Sequence, residues 1–279
     1  MMNRYDRHIK LEEVGVEGQE KLTQAKALVV GAGGLGCPVL QYLTAAGIGK
    51  IGIIDPDFVT ESNLQRQILY TTKDLGELKV EVAQKRLTAL NADVDIETYP
   101  EFIGANNVGD LVTSYDIVVD GTDQIHTRYL LDDACRILGK PLVYGAIHKF
   151  QGQVSTFHYQ NGPGYRDLFP TPPNPESVPS CNEVGVLGVL PGMIGVMQAN
   201  EVLKIILGYG QLLSGKFWML DAKTNEANTI EFEKMMEHID APQTLEELER
   251  TDYIAYCNPV FSSNTEGHKE PQRTTEKWS

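Results

Sequence analysis

The chain has few of the residues that mark exported, zinc-binding or nucleic-acid-binding proteins. Its four cysteines, at positions 37, 135, 181 and 257, form no C-x-x-C pair, so a Cys₄ zinc site has no support and reduced thiols are expected. Lys and Arg number 24 against 38 Asp and Glu, which argues against nucleic acid or an anionic membrane as the main partner. Residues 1–7 lack the apolar run of a signal peptide, so we expect a cytoplasmic protein.

One apolar run, residues 184–207, is long enough to suggest a membrane span. Glu201 and Lys204 lie within it, and charged side chains are costly in lipid. The run therefore predicts a core helix, with no membrane as partner.

Strands alternate with helices through the first half of the chain. Strands are predicted at 27–30, 50–54, 94–99, 115–120 and 141–146, and helices at 35–46, 78–90 and 125–138. This alternation predicts an α/β fold with a Rossmann-like, mostly parallel sheet and helices on both faces. Strands at 152–159, 216–221 and 228–232 should extend the sheet in antiparallel fashion, and residues 4–22 should be mostly helical.

The second half contains two irregular stretches. Residues 160–181 hold six of the fourteen prolines and predict a long ordered loop or lid. Residues 258–279 are polar and poor in apolar side chains, which predicts a disordered tail.

A glycine-rich turn, GAGGLG at residues 31–36, separates the first strand from a helix, and Asp55 ends the second strand. Glycines let the backbone approach a phosphate or ribose, and a carboxylate after the second strand can accept hydrogen bonds from ribose hydroxyls. Both NAD and ATP carry that ribose, so these residues predict a nucleotide site without choosing between the two.

The segment SNLQRQ at residues 62–67 favours a triphosphate over a dinucleotide. Arg66 and Lys79 follow the second strand and should leave the same edge of the sheet, with Asn63 and Gln67 beside them. Two cations there can neutralise a triphosphate. The alternative is two surface cations, which is less favoured in an acidic chain.

The segment DGTD at residues 120–123 ends the fourth strand at the sheet edge where such folds bind ligands. Asp123 is well placed to hold Mg²⁺, which prefers carboxylate and phosphate oxygens. The alternative is that Thr122 or Asp123 caps the following helix.

Together with RYDRHI at residues 4–9 and CNEVGVLG at 181–188, these motifs resemble the HesA/MoeB/ThiF family over residues 4–221. That family comprises the adenylyltransferases of sulfur-carrier proteins and is similar to the adenylation domain of ubiquitin-activating enzymes. The resemblance implies an enzyme that uses Mg-ATP to adenylate the C-terminal glycine of a small ubiquitin-like carrier of the MoaD or ThiS type, releasing pyrophosphate.

The resemblance also implies residue roles. Gly34 and Asp55 would bind the nucleotide, with Gln67 and Thr122 beside it. Asn63, Arg66 and Lys79 would bind the phosphates and Asp123 the magnesium. Arg7 would reach into the site of a second subunit, which implies a homodimer.

Three features concern sulfur chemistry. Cys181 is either a catalytic thiol that links to the carrier or a buried small residue, whereas Cys37 and Cys135 are predicted core residues. Many members hold zinc in two C-x-x-C pairs, but Gly164 and Asp167 stand where the first pair would lie, so no zinc is predicted. The residues after the last strand are too few for a sulfur-transferring rhodanese domain, so the sulfur donor should be a separate protein.

Residues 245–257 are a candidate segment for docking the carrier.

We therefore predict one adenylation domain over residues 1–257, with its nucleotide-binding core at 25–150 and its carrier-binding loop and strands at 151–235. Three alternatives stay open: an enzyme like the tRNA threonylcarbamoyladenosine dehydratase, an NAD-dependent dehydrogenase, and a non-catalytic partner. The acidic composition disfavours the first, and the phosphate-binding set disfavours the other two.

Overall fold

An eight-stranded sheet forms the centre of the computed structural model, which describes residues 4–173, 185–235 and 241–258. Its order is β3-β2-β1-β4-β5-β6-β7-β8; β1 to β5 run parallel, and β6, β7 and β8 each pair antiparallel with the preceding strand. The predicted mostly parallel sheet with an antiparallel extension is confirmed. The strands are β1 Lys26–Val30, β2 Lys50–Ile54, β3 Asp95–Tyr99, β4 Ile117–Asp120, β5 Leu142–His148, β6 Gln151–Phe157, β7 Lys216–Asp221 and β8 Glu226–Glu231.

Helices cover both faces of the sheet, as predicted. One core packs α3, α4 and α8 against the sheet, and the other packs α5, α6, α9 and α10 against its opposite face. The helices are α1 Asp6–Ile9, α2 Gly15–Gln24, α3 Gly36–Ala46, α4 Lys79–Leu90, α5 Val108–Thr113, α6 Ile125–Leu138, α7 Tyr165–Leu168, α8 Val189–Leu207, α9 Leu245–Glu249 and α10 Tyr253–Cys257. The short helices α5, α7, α9 and α10 were not predicted.

The central strands are apolar on both faces because helices cover both. Four successive residues are buried in both β1 and β2, so these strands show a continuous apolar run instead of alternation. Helix α3 ends at Gly47, whose left-handed backbone (φ 84°) turns the chain back toward β2. This strand–helix–strand unit fixes the glycine turn and Asp55 at the same edge of the sheet.

Helix α8 corresponds to the long apolar run and packs within the protein. Leu190, Ile194 and Val202 are fully buried. Glu201 is also buried, where it accepts hydrogen bonds of 2.9 Å from the Thr156 hydroxyl and the Leu213 N–H. Of the described helices it alone has the length and apolarity to cross a membrane. Its buried contacts agree with the predicted core helix.

A buried group of polar side chains ties the C-terminal helices to α6; we call it the Arg166 cluster. Arg166 makes two hydrogen bonds to Asp133, at 2.9 and 2.7 Å, and a third to the Tyr256 hydroxyl at 2.7 Å. Tyr253 donates to the same Asp133 carboxylate at 2.8 Å. The Arg166 guanidinium also lies over the rings of Tyr129 and Tyr256, with its carbon 4.8 and 5.0 Å from their centroids.

The Arg166 cluster changes two sequence interpretations. The first part of the predicted loop at 160–181 contains α7, in which Tyr165 and Arg166 are buried. Residues 174–181 of that loop, and residues 259–279 of the predicted tail, lie outside the described residues. The suggested docking segment at 245–257 packs on the core through Leu248, Tyr253 and Cys257, which are buried, while other residues of it remain exposed.

Replacing Asp133 with alanine should lower the free energy of unfolding by about 3–5 kcal/mol, because Arg166 would stay buried without its counter-charge. Urea denaturation monitored by fluorescence measures the loss. The matched control is Glu246→Ala, which breaks an exposed ion pair with Arg250 and should change stability far less. Equal losses for the two variants would contradict the role of the cluster.

Candidate active site

A cavity of about 870 Å³ opens at the carboxyl ends of the central strands. Residues that follow each of β1 to β4 line it, including Gly31, Asp55, Glu101 and Gly121. In open α/β sheets ligands bind in this crevice. The cavity brings together eight of the residues predicted for the site: Gly34, Asp55, Asn63, Arg66, Gln67, Lys79, Thr122 and Asp123.

The glycine turn approaches neighbouring backbone too closely for side chains. A Cβ on Gly36 would lie 1.9 Å from the Gly31 carbonyl oxygen, and Gly31 itself has φ +93°. At Gly34 a Cβ would come within 3.1 Å of Pro191 in α8. Bare backbone is therefore exposed to the cavity at the start of α3, which is the arrangement that lets a phosphate approach peptide N–H groups.

Asp55 is held rigidly at the end of β2. One carboxylate oxygen accepts a hydrogen bond from the Ala32 N–H at 2.7 Å, and the other accepts one from the Asp57 N–H at 2.9 Å. Burial raises the pKa of this carboxyl, and the charge of Lys79 together with the two N–H groups partly offsets the rise. The carboxylate is thereby joined to the glycine turn and positioned for a ribose.

Lys79 lies at the start of α4 with its side chain 4% exposed. Its ammonium contacts the Asp57 carboxylate at 2.8 Å, and its backbone N–H donates to the Asp57 carbonyl at 2.9 Å. The Asp57 side chain itself is 61% exposed. A buried cation thus faces the cavity with one carboxylate beside it. The sequence analysis missed Asp57, although it stands only two residues after Asp55 in the segment DPD.

The segment after β2 folds into a 3₁₀ turn at Glu61–Asn63 that brings Arg66 to the cavity. Arg66 donates to the Asn63 side-chain oxygen at 2.7 Å and to the Ser62 carbonyl at 3.2 Å. Gln67 is buried against the glycine turn, and its side-chain oxygen has no hydrogen-bond partner among the described residues. A buried polar atom without a partner at a cavity wall is typical of a ligand-binding group.

The DGTD segment leaves Asp120 buried and Asp123 exposed at the cavity. Asp120 accepts hydrogen bonds from both the N–H and the hydroxyl of Thr122, at 2.9 and 2.7 Å. Burial raises the pKa of the Asp120 carboxyl. The guanidinium of Arg128, 3.9 Å from that carboxylate, partly offsets the rise. Helix α6 begins after Gln124, and the Thr122 side chain is committed to Asp120. The alternative that Thr122 or Asp123 caps α6 is therefore wrong.

The donor set at Asp123 fits a magnesium ion that accompanies a nucleotide. Asp123 has no hydrogen-bond or ion-pair partner among the residues of known placement. Within those same residues no three His, Cys, Asp or Glu side chains form a metal-binding group. Mg²⁺ is commonly held by one or two carboxylates, with phosphates and water supplying the remaining ligands. One free carboxylate at a phosphate-sized crevice meets that requirement.

One of the predicted site residues stands apart from the cavity lining, and another is not described. Arg7 is exposed on α1 and does not line the cavity of its own chain. Cys181 lies outside the described residues. Cys37 and Cys135 are buried, as predicted, and burial raises the pKa of Cys37 to about 12.

Sequence reasoning also missed the far end of the cavity. Residues 101–105 after β3 and residues 251–254 before and within α10 line it there. Residues 251–254 are more than 200 positions from the glycine turn, and no local motif marks them. Taken together, the crevice combines a buried carboxylate, two cations and a free carboxylate. That combination suits a magnesium-bound triphosphate.

The chain is similar in sequence to known proteins. A model of the ThiF family matches residues 5–241. A sulfur carrier protein adenylyltransferase of Thermus thermophilus is 53% identical over 226 residues, covering 79% of this chain and 83% of the relative. A SAMP-activating enzyme E1 of Haloferax volcanii is 43% identical over 260 residues, covering 92% and 95%.

Other relatives are longer. A probable molybdopterin-synthase adenylyltransferase of Porphyra purpurea is 49% identical over 234 residues, and the match covers 83% of this chain but 59% of that protein. Among solved structures, E. coli MccB with ATP has a TM-score of 0.72 at 21% identity and covers 84% of this chain and 72% of that one. PaaA has a TM-score of 0.70 at 24% identity, with 83% and 73% covered. These two likenesses show the fold alone.

Proposed function

The chain belongs to the ThiF family, and from that membership we propose that it is an ATP-dependent adenylyltransferase for a small ubiquitin-like sulfur-carrier protein. The substrate carboxylate is the C-terminal glycine of the carrier. The observation that carries the proposal is the joint placement of Asp55, Arg66, Lys79 and Asp123 around one crevice. A dehydrogenase does not require that set, because a dinucleotide offers no triphosphate to neutralise.

In the reaction the carrier carboxylate attacks the α-phosphorus of ATP. A bond forms between a carboxylate oxygen and the α-phosphorus. The bond between the α-phosphorus and the oxygen that bridges it to the β-phosphate breaks, and pyrophosphate leaves. An anion attacks an anion, so the barrier is largely electrostatic. Arg66 and Lys79 offset that repulsion, and Asn63 orients the Arg66 guanidinium. Asp55 holds the ribose, which fixes the α-phosphate relative to both cations.

Magnesium would be held at Asp123 and would neutralise charge on the phosphates. Asp120 supports this position, since its two hydrogen bonds from Thr122 fix the backbone that carries Asp123. Thr122 thus helps to position Asp123 through the loop backbone, and it also lines the nucleotide cavity. Gln67 places a side-chain amide beside the glycine turn, with its nitrogen 3.5 Å from the position of a Cβ on Gly33.

We further propose a homodimer with shared active sites. Arg7 is exposed and absent from the cavity of its own subunit, which fits a residue that serves a partner. Helix α8 supports an interface, because Val189, Met193 and Val196 follow helical spacing and are 59%, 36% and 37% exposed. The carrier would contact residues 151–235, within one adenylation domain over residues 1–257, and a separate protein would donate sulfur. The requirement for ATP supports a cytoplasmic location.

The test is ATP–pyrophosphate exchange with candidate carriers that end in Gly-Gly. We expect exchange with at least one carrier and none with the same carrier lacking its terminal glycine, since the nucleophile is then misplaced. Exchange that depends on tRNA would instead favour the threonylcarbamoyladenosine dehydratase alternative. Absence of exchange with every Gly-Gly protein would overturn the proposal.

A further inference from the structure

The far end of the cavity carries exposed apolar side chains, whereas the near end carries two cations. Phe102 and Ile254 both line it and are 67% and 59% exposed. Large apolar side chains left this exposed inside a cavity form a surface that a flat apolar ligand group can cover. We propose that residues 251–254 of the C-terminal segment, together with Phe102, form the wall that covers the nucleobase of ATP and set nucleotide affinity. The inference rests on the proposed function.

The order of groups along the crevice supports binding with the triphosphate at the near end and the nucleobase at the far end. Asp55 fixes the ribose in the middle, and Arg66 and Lys79 lie on the side of the glycine turn. Triphosphate and base leave opposite sides of a ribose. The base must then extend toward the loop 101–105 and the C-terminal segment.

The charges at the two ends differ in sign. Glu101 and Asp252 line the far end, and Asp252 is fixed there because its carboxylate accepts the Ala255 N–H at 2.9 Å as the cap of α10. Carboxylates repel phosphate, whereas Arg66 and Lys79 attract it. A nucleotide bound the wrong way round would therefore be disfavoured at both ends.

The C-terminal segment is anchored firmly enough to act as a wall. Tyr253 is buried and donates to Asp133 within the Arg166 cluster at 2.8 Å. Leu248 is fully buried in the core that also packs Ile103 of the loop after β3. Leu245 packs 3.4 Å from the position of a Cβ on Gly109 in α5. The segment is thus held next to the loop 101–105 by contacts that do not involve a ligand.

The experiment compares Ile254→Ala with Ile230→Ala in the full chain. Both residues are isoleucines, 59% and 51% exposed, but Ile230 lies on the edge strand β8 and does not line the cavity. Because both side chains are exposed, neither variant should unfold. Calorimetry measures binding of Mg-ATP, AMP and inorganic tripolyphosphate to each protein.

We expect Ile254→Ala to weaken ATP and AMP binding about tenfold, since truncation removes apolar contact with the base. Tripolyphosphate has no base, so its affinity should be unchanged, and Ile230→Ala should match the wild type with all three ligands. Phe102→Ala should reproduce the pattern of Ile254→Ala. A change in the tripolyphosphate affinity as large as that for ATP would overturn the assignment.

The result separates the two proposals. If the wild-type protein binds ATP and Ile254→Ala binds it equally well, the nucleobase wall is wrong and the proposed function stands. If the wild-type protein binds no ATP, the proposed function fails, and this inference fails with it.

Discussion

Replacing Arg66 with alanine should lower carrier-dependent ATP–pyrophosphate exchange about 10²–10³-fold, the cost of removing one charge-stabilising donor from an active site. The side chain is oriented toward the cavity by Asn63 at 2.7 Å and by the Ser62 carbonyl at 3.2 Å. Its charge offsets the repulsion between the attacking carboxylate and the α-phosphate. The loss should fall mainly on kcat, because the repulsion is greatest in the transition state.

Arg250→Ala serves as the control, since that exposed arginine pairs with Glu246 on α9, does not line the cavity and should leave exchange unchanged. Mixing subunits tests whether the site is shared. Arg66→Ala and Arg7→Ala proteins, each inactive, should recover about one quarter of the wild-type rate after random reassociation, because half of the dimers then contain one intact site. No recovery on mixing would contradict a role for Arg7 in the partner's site, and full activity of Arg66→Ala would contradict the phosphate role.

Replacing Asp123 with asparagine should cause a loss of similar size, about 10²–10³-fold in exchange, because the change removes a magnesium ligand's charge while keeping its shape. The carboxylate faces the cavity without a protein partner among the residues described, so the substitution should not disturb packing. Asp93→Asn is the matched control; that aspartate is exposed after α4 and lies away from the cavity.

A binding measurement separates the metal from catalysis at Asp123. Wild-type protein should bind ATP more tightly with Mg²⁺ than without it, and Asp123→Asn should lose most of that difference. Unchanged magnesium dependence of ATP binding in the variant would show that the ion is held elsewhere.

The nucleotide-binding half could be predicted from the sequence because its signals are local. The bounds of β2 and α6 agree with prediction, since a short buried apolar run and a long amphipathic helix each show their own period. Helix α5, Val108–Thr113, was not predicted because six residues are too few to show helical periodicity. The residues predicted to bind phosphate could be proposed because each follows a recognisable strand or glycine turn.

The remaining features depend on contacts between distant residues. Arg166 lies in a segment whose sequence predicts a proline-rich loop, yet its side chain is buried. Burial is possible because Asp133, 33 residues earlier, and Tyr256, 90 residues later, accept its hydrogen bonds. The proposed nucleobase wall likewise comes from a segment, residues 251–254, in which no helix was predicted. No pattern within a window of the chain indicates such pairing; only the three-dimensional arrangement brings the partners together.

The ion pair between Lys79 and Asp57 has a consequence for discrimination among cellular anions. In the resting protein the lysine already has a counter-ion at 2.8 Å. A small competitor such as orthophosphate must displace the Asp57 carboxylate, and its own contact with Lys79 is all that favours the exchange. A nucleotide draws on Arg66, Asp55 and the glycine turn as well, so it can displace Asp57 where orthophosphate cannot. If Lys79 binds the nucleotide as proposed, Asp57 would compete with free phosphate for the lysine.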